Sequence, residues 1–161
     1  MEDHVIHLLF SANRWEAAAK ITITITEGFT LVIDRYSYSG AVYSAAKDNP
    51  SLSLEWAWQM EIGLPRPDLC LFLDIKPEEA QARGGFGNER YETTQMQSQV
   101  RKLFHELFQL PCAGNAVVVD AGRAVELIQQ DMLSAVRKAT SQEKLQQPLS
   151  VFESMKDASS G

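Results

Sequence analysis

Three short apolar runs set the tightest limit on the fold: Phe29–Asp34, Leu69–Ile75 and Val117–Asp120. Each is nearly continuous in apolar residues, the pattern of a strand buried on both faces rather than one with a wet side. Leu69–Ile75 is the strongest. Pro65 and Pro67 exclude a helix just before it, and Pro77 suits the first turn of a short helix after it. Between the runs lie helical patterns. Val5, Leu8, Leu9, Ala12, Trp15 and Ala19 share one face of a helix from Asp3, its N-cap, to about Lys20. Ala41–Lys47 and Ser51–Met60 read as short helices, Gln97–Gln109 as an amphipathic one, and Val125 to Val136 as a last apolar stripe. Ile21–Thr26 alternates β-branched and polar residues and by itself predicts a strand, closed by Glu27-Gly28. Strands alternating with helices imply an α/β fold, a parallel sheet with helices on both faces. From Ser141 the chain is polar, so residues 1–140 are expected as one domain and 141–161 as a disordered tail.

Charge narrows the partners. Fifteen basic against 21 acidic residues give −6, which argues against nucleic acid and anionic lipid. A mononucleotide stays possible, because a few Arg side chains suffice to hold one. No apolar run is long enough to span a bilayer. The opening residues lack a basic signal-peptide region, and Cys70 and Cys112 read as reduced thiols. Both point to an intracellular, cytoplasmic protein, with the nucleus also open.

Several segments carry candidate chemistry. Asp34-Arg35-Tyr36 follows a strand run directly, where α/β sheets place their ligands. The Arg fork suits phosphate and the Asp suits Mg²⁺ held through water; the competing reading is a structural ion pair. Phe10 and Arg14 stand one helical turn apart, able to stack on and hydrogen-bond a planar base, or else Phe10 is core and Arg14 is solvated. Arg83 to Glu92, rich in glycine and charge, has the composition of a lid over phosphates, or of a plain surface loop. His4 and His7, near Asp3, read as a solvated helix start rather than a metal site, and His105 as a helix-surface or packing residue. No Gly-Lys-Ser/Thr tripeptide of a Walker A loop occurs.

In order and spacing, HLLFSANRWE, TLVIDRYSYSG, GLPRPDLCLFLDI and RGGFGNERYE resemble thymidylate kinases of the eukaryotic type, from about Glu2 to about Ala139. The resemblance implies the P-loop nucleoside-monophosphate kinase fold and Mg²⁺-dependent transfer of the ATP γ-phosphate to dTMP. It implies that Phe10 stacks on thymine and Arg14 hydrogen-bonds it. Asp34 would serve the Mg²⁺–phosphate region, Arg35 the dTMP phosphate, and Ser39, Gly40 and Tyr43 the sugar and base pocket. Arg83, Arg90 and Tyr91 would belong to the lid, Arg83 near adenine and Tyr91 near the dTMP sugar. Arg90 joins Asp34 and Arg35 as catalytic, and Asp120, Ala121, Gly122 and Arg123 would flank adenine. The family also pairs into dimers through helices, has a helix where Ile21–Thr26 stands, and begins with a strand, a Walker A loop and a helix. Those last elements are expected to be missing here, so that the chain is N-terminally truncated, keeps mainly the dTMP side of the site, and has negligible turnover alone. A nucleotide-binding pseudo-enzyme or a truncated gene product is the alternative.

Overall fold

A computed structural model of the chain describes residues 1–47, 49–82, 94–141 and 147–155. Helix α1 spans Asp3–Thr26 and absorbs the stretch expected as a strand. Its threonines explain why. The hydroxyls of Thr22, Thr24 and Thr26 donate to the carbonyls of Ala18, Lys20 and Thr22, at 3.0, 2.8 and 2.8 Å, so each polar side chain is satisfied within the helix. Extending a formed helix adds one bond per residue, which outweighs a β-branched penalty of a few tenths of a kcal/mol. The end falls where Gly28 was expected to stop it. Gly28 takes φ 88°, and the amides of Gly28 and Phe29 bond the carbonyls of Ile25 and Thr24 in a Schellman arrangement. Glu2, not Asp3, caps the start by accepting from the Val5 amide; Asp3 instead pairs with Lys47 at 2.7 Å.

Helix α2 covers Ser37–Ala45, beginning earlier than its periodicity suggested, and α3 covers Leu54–Gln59. Strand β1 (Cys70–Asp74) leads to α4 (Pro77–Ala82). Helix α5 (Thr94–Phe108), a 3-10 turn at Pro111–Ala113, strand β2 (Ala116–Asp120) and helix α6 (Val125–Ala139) follow. The two strands pair in parallel, Cys70 opposite Ala116 and Asp74 opposite Asp120. Side chains alternate across this sheet. Cys70 and Phe72 join the α2–α5 core with Val100, Leu103 and Phe104, whereas Leu71, Val117 and Val119 pack on Ile128 and Met132 of α6. Helices therefore lie on both faces, as the alternation implied.

Two further expectations fail. Phe29–Ile33 is not a buried strand but an irregular, unpaired segment, with Phe29 63% and Val32 94% exposed. A strand needs a ladder partner for its amides and carbonyls, and no described strand pairs with this segment. The tail, in contrast, is docked over 147–155. Phe152 is buried against the rings of Trp58, Tyr38 and Tyr36. The Gly63 amide bonds the Phe152 carbonyl and the Phe152 amide bonds the Leu64 carbonyl, at 2.9 and 3.0 Å. Pro65 and Val151 form an antiparallel bridge, and the Trp58 indole donates to the Glu153 carbonyl. One aromatic side chain in a polar stretch is enough to anchor it. No described helix is long and apolar enough to cross a membrane.

Candidate functional site

The most enclosed polar group lies where α1 crosses the chain just after α3. Arg14 donates Nε to Glu61 Oε2 at 2.6 Å and Nη2 to Glu61 Oε1 at 2.5 Å, and the Glu61 side chain is fully buried. Two further bonds pin α1 to the residue before Glu61: Ser11 Oγ and Trp15 Nε1 both donate to the Met60 carbonyl, at 2.9 and 3.0 Å. The guanidinium lies against Gly40 of α2. A Cβ there would stand 2.6 Å from Arg14 Nη2 and 2.8 Å from Nη1, so only glycine permits this approach. Arg14 is thus neither solvated nor free, and Phe10, one turn earlier, is exposed rather than core.

His7 is buried beside this pair and is not part of a solvated helix start. Its Nε2 lies 3.0 Å from the Ala57 carbonyl and its Nδ1 2.8 Å from Ser44 Oγ. A carbonyl only accepts, so Nε2 carries the proton and Nδ1 accepts from the serine. Burial holds the His7 pKa below the usual imidazole value, which keeps the ring neutral. Arg14 is then the counter-charge of Glu61, although His7 Nε2 is only 3.8 Å from it. The Tyr36 and Ser37 hydroxyls are both buried on this side.

Asp34 and Arg35 are exposed and form no ion pair among the described residues. Arg35 has φ 61°, the one described non-glycine residue in the left-handed region. Such a backbone costs about 1–3 kcal/mol and is retained where it aims a side chain. Its guanidinium lies over the Tyr43 ring, 5.3 Å from the centroid. Tyr43 in turn lines a cleft of about 160 Å³ with Phe72, Asp74, Arg101 and Phe104, so Arg35 and Tyr43 stand at the carboxyl end of β1. Asp34 is a single exposed carboxylate. It fits a water-mediated role toward a Mg²⁺ that takes its other oxygens from phosphate, and not a protein cage. No described group of three or more His, Cys, Asp or Glu side chains is gathered for a metal.

The strand-end acids have other partners. Asp74 takes a bidentate pair from Arg101, at 2.5 and 2.8 Å, and a contact from His105 Nε2 at 3.0 Å. The Arg101 hydrogen bonds hold the Asp74 carboxyl below its usual range. Asp120 Oδ1 accepts from the Gly122 amide, Ala121 is buried, and Arg123 pairs with Asp131. Asp120 to Arg123 pack with β1 and α6, outside the Arg14–Glu61–Gly40 cluster. Ser39 is half-buried on α2 next to Gly40. Arg83, Arg90 and Tyr91 lie outside the described residues. Glu61 escaped the sequence reading, which also placed His7 in solvent, and the only signal for Glu61 is an acid set among apolar neighbours, Met60 and Ile62.

The sequence profile of the thymidylate kinase family matches residues 1–132. The chain belongs to that family. The zebrafish (Danio rerio) thymidylate kinase is 46% identical over 132 residues, covering 82% of this chain and 61% of that one. The Homo sapiens thymidylate kinase is 43% identical over 144 residues, covering 87% of this chain and 66% of the other. The chain thus spans less than two thirds of the length of these curated relatives. In three dimensions it is similar to the solved Candida albicans thymidylate kinase, with TM-score 0.77 and 30% identity over 95% of this chain and 74% of that structure. The fold is that of the P-loop nucleoside-monophosphate kinases, as the motifs implied.

Proposed function

We propose that this protein takes part in Mg²⁺-dependent phosphoryl transfer from ATP to dTMP, and that this chain carries the base-recognising side of the dTMP site. The observation that carries the reading is the Arg14 guanidinium held between buried Glu61 and the bare face of Gly40, with exposed Phe10 one turn away. In this reading Phe10 stacks on the base, Arg14 donates to it, and Ser39, Gly40 and Tyr43 wall the pocket. Arg35, aimed by its left-handed backbone, binds the dTMP phosphate bidentately. Asp34 holds Mg²⁺ through water; the ion supplies charge neutralisation at the phosphates. Arg83, Arg90 and Tyr91 act from the lid, and Asp120 to Arg123 flank adenine. Such transfer depends on positioning and charge neutralisation rather than covalent catalysis, so rigid placement of these side chains is what the chain contributes. The protein pairs with a second copy through helices and works in the cytoplasm. The test is calorimetric titration with dTMP. Saturable binding that Arg35→Ala weakens supports the reading, and heat indistinguishable from buffer at millimolar dTMP refutes it.

A further inference from the structure

We infer that Glu61 is a positioning residue, which orients the Arg14 guanidinium so that its remaining donors face a base carbonyl and thereby favours thymine- or uracil-type bases over cytosine. The inference rests on the dTMP reading above and adds the residue that gives Arg14 its selectivity.

A guanidinium has five N–H donors and no acceptor. The Nε–H and one Nη2–H are committed to the two oxygens of Glu61. What is left is the Nη1 edge and one Nη2–H, donors that all need an acceptor opposite them. Thymine and uracil offer a carbonyl oxygen at position 4, whereas cytosine offers an amino group there, itself a donor. Two donors set face to face leave both unpaired, and sites built around one polar edge reject its mismatch strongly. That selectivity requires a guanidinium that cannot turn away.

Three features hold it. Glu61 grips it through two parallel bonds, which fix the plane as a single bond does not. Gly40 lies so close to Nη1, Nη2 and Cζ that rotation toward α2 is blocked. The backbone carrying Glu61 is tied to α1 through Ser11, Trp15 and the Met60 carbonyl, so acid and guanidinium keep one register. His7 is engaged with Ala57 and Ser44 and does not draw Glu61 away.

The experiment compares dissociation constants for dTMP and dCMP by calorimetry on the wild-type 161-residue chain, Glu61→Asp and Glu61→Gln, each with a thermal melt. Glu61→Asp keeps the charge but withdraws the carboxylate by one methylene. The expected result is a fall of about tenfold or more in the dTMP-to-dCMP preference of Glu61→Asp, with a cooperative melt retained. A preference within about twofold of wild type in either variant that melts cooperatively overturns the inference while leaving the dTMP reading intact. A second arm needs no variant. In the wild-type chain the Arg14 Nε–H resonance should stay in place when dTMP is added, because its bond to Glu61 persists, while the Nη protons shift. Movement of the Nε–H signal on binding means that Arg14 releases Glu61, and it overturns the inference. A wild-type chain that binds neither nucleotide refutes the dTMP reading itself, and the inference with it.

Discussion

The α1–α2–α3 region and the segment Phe29–Ile33 are neighbours in the chain and opposite in character. In the first, charged and polar groups are buried and nearly all answered: Arg14 by Glu61, His7 by Ser44 and Ala57, Ser11 by Met60. In the second, apolar side chains stand in water, Val32 at 94% exposure, and the β1 and β2 residues Leu73 and Val118 are also exposed. Polar groups are enclosed on the inner face of α1, while apolar side chains stand in water along Phe29–Ile33 and on the outer face of α1, where Leu9 and Phe10 are also exposed. Composition therefore does not decide burial here; the presence of a partner does. Functionally, the groups proposed to read a base are preformed, while those proposed to hold phosphate sit at the end of the open segment.

The contrast can be broken most forcefully from the closed side. Arg14→Met strands the fully buried Glu61 carboxylate. Stability should fall by about 3–5 kcal/mol, read as the urea midpoint. A loss below about 1 kcal/mol would mean the pair is wetter than its geometry indicates. Phe152→Ala tests the docked tail in the same way. Losing a ring enclosed by Trp58 and Tyr38 should cost about 3 kcal/mol, the low end for such truncations because the terminal strap can lift away. An unchanged melt would show that the tail does not contribute to the core.

Gly40→Ala separates binding from folding. Alanine in a helix gains about 1 kcal/mol over glycine, offset here by the contact with Arg14 Nη2, so the melting temperature should move little. The displaced guanidinium should nonetheless weaken dTMP binding, and calorimetry showing full affinity would remove Gly40 from the site.

The pH response should be smaller and has a definite sign. His7 has a lowered folded-state value because burial disfavours its charged form. Below about pH 6.5 the unfolded chain takes this proton first, so stability falls as the pH drops through that range and gains nothing from His7 above it. His4 acts oppositely. Glu2 raises its value, so its contribution is present at low pH and is lost as pH rises through the histidine range. Urea midpoints at pH 7.5 and 5.5, measured on wild type and on His7→Gln, isolate the buried ring, and the variant should lose less stability on acidification. Least of all should Val32→Ser matter, within about 0.5 kcal/mol, as expected of an exposed residue. A loss of several kcal/mol there would close the open region and erase the comparison.

What was legible in the sequence is what local spacing encodes. The apolar periods of α5 and α6, the paired runs of β1 and β2, and the Gly28 stop all followed from neighbours a few residues apart. The two misread β-branched segments show where that signal ends. Ile21–Thr26 continues a helix nucleated far upstream, and Phe29–Ile33 has a strand's composition but no described ladder partner. Glu61 and Phe152 were invisible for a related reason. Their partners lie 47 residues away at Arg14 and across the tail at Trp58, and no local pattern carries such pairings. Arg101 on α5 makes the same point: the carboxylate it grips, Asp74, lies 27 residues away. For the site, Phe10 and Arg14 are marked by their spacing of one helical turn, whereas Gly40 follows from the motif resemblance alone.

The central claim is that this chain holds a preformed base-recognising surface beside an open segment. An amide NMR titration of the 161-residue chain with dTMP, combined with hydrogen exchange on the same sample, tests it most directly. The account predicts slow exchange through α1 and α2, fast exchange over 29–33, and saturable shifts at Phe10, Arg14, Ser39 and Gly40. Uniformly fast exchange across α1 and α2, or dTMP shifts that bypass α1 and Gly40, would contradict it.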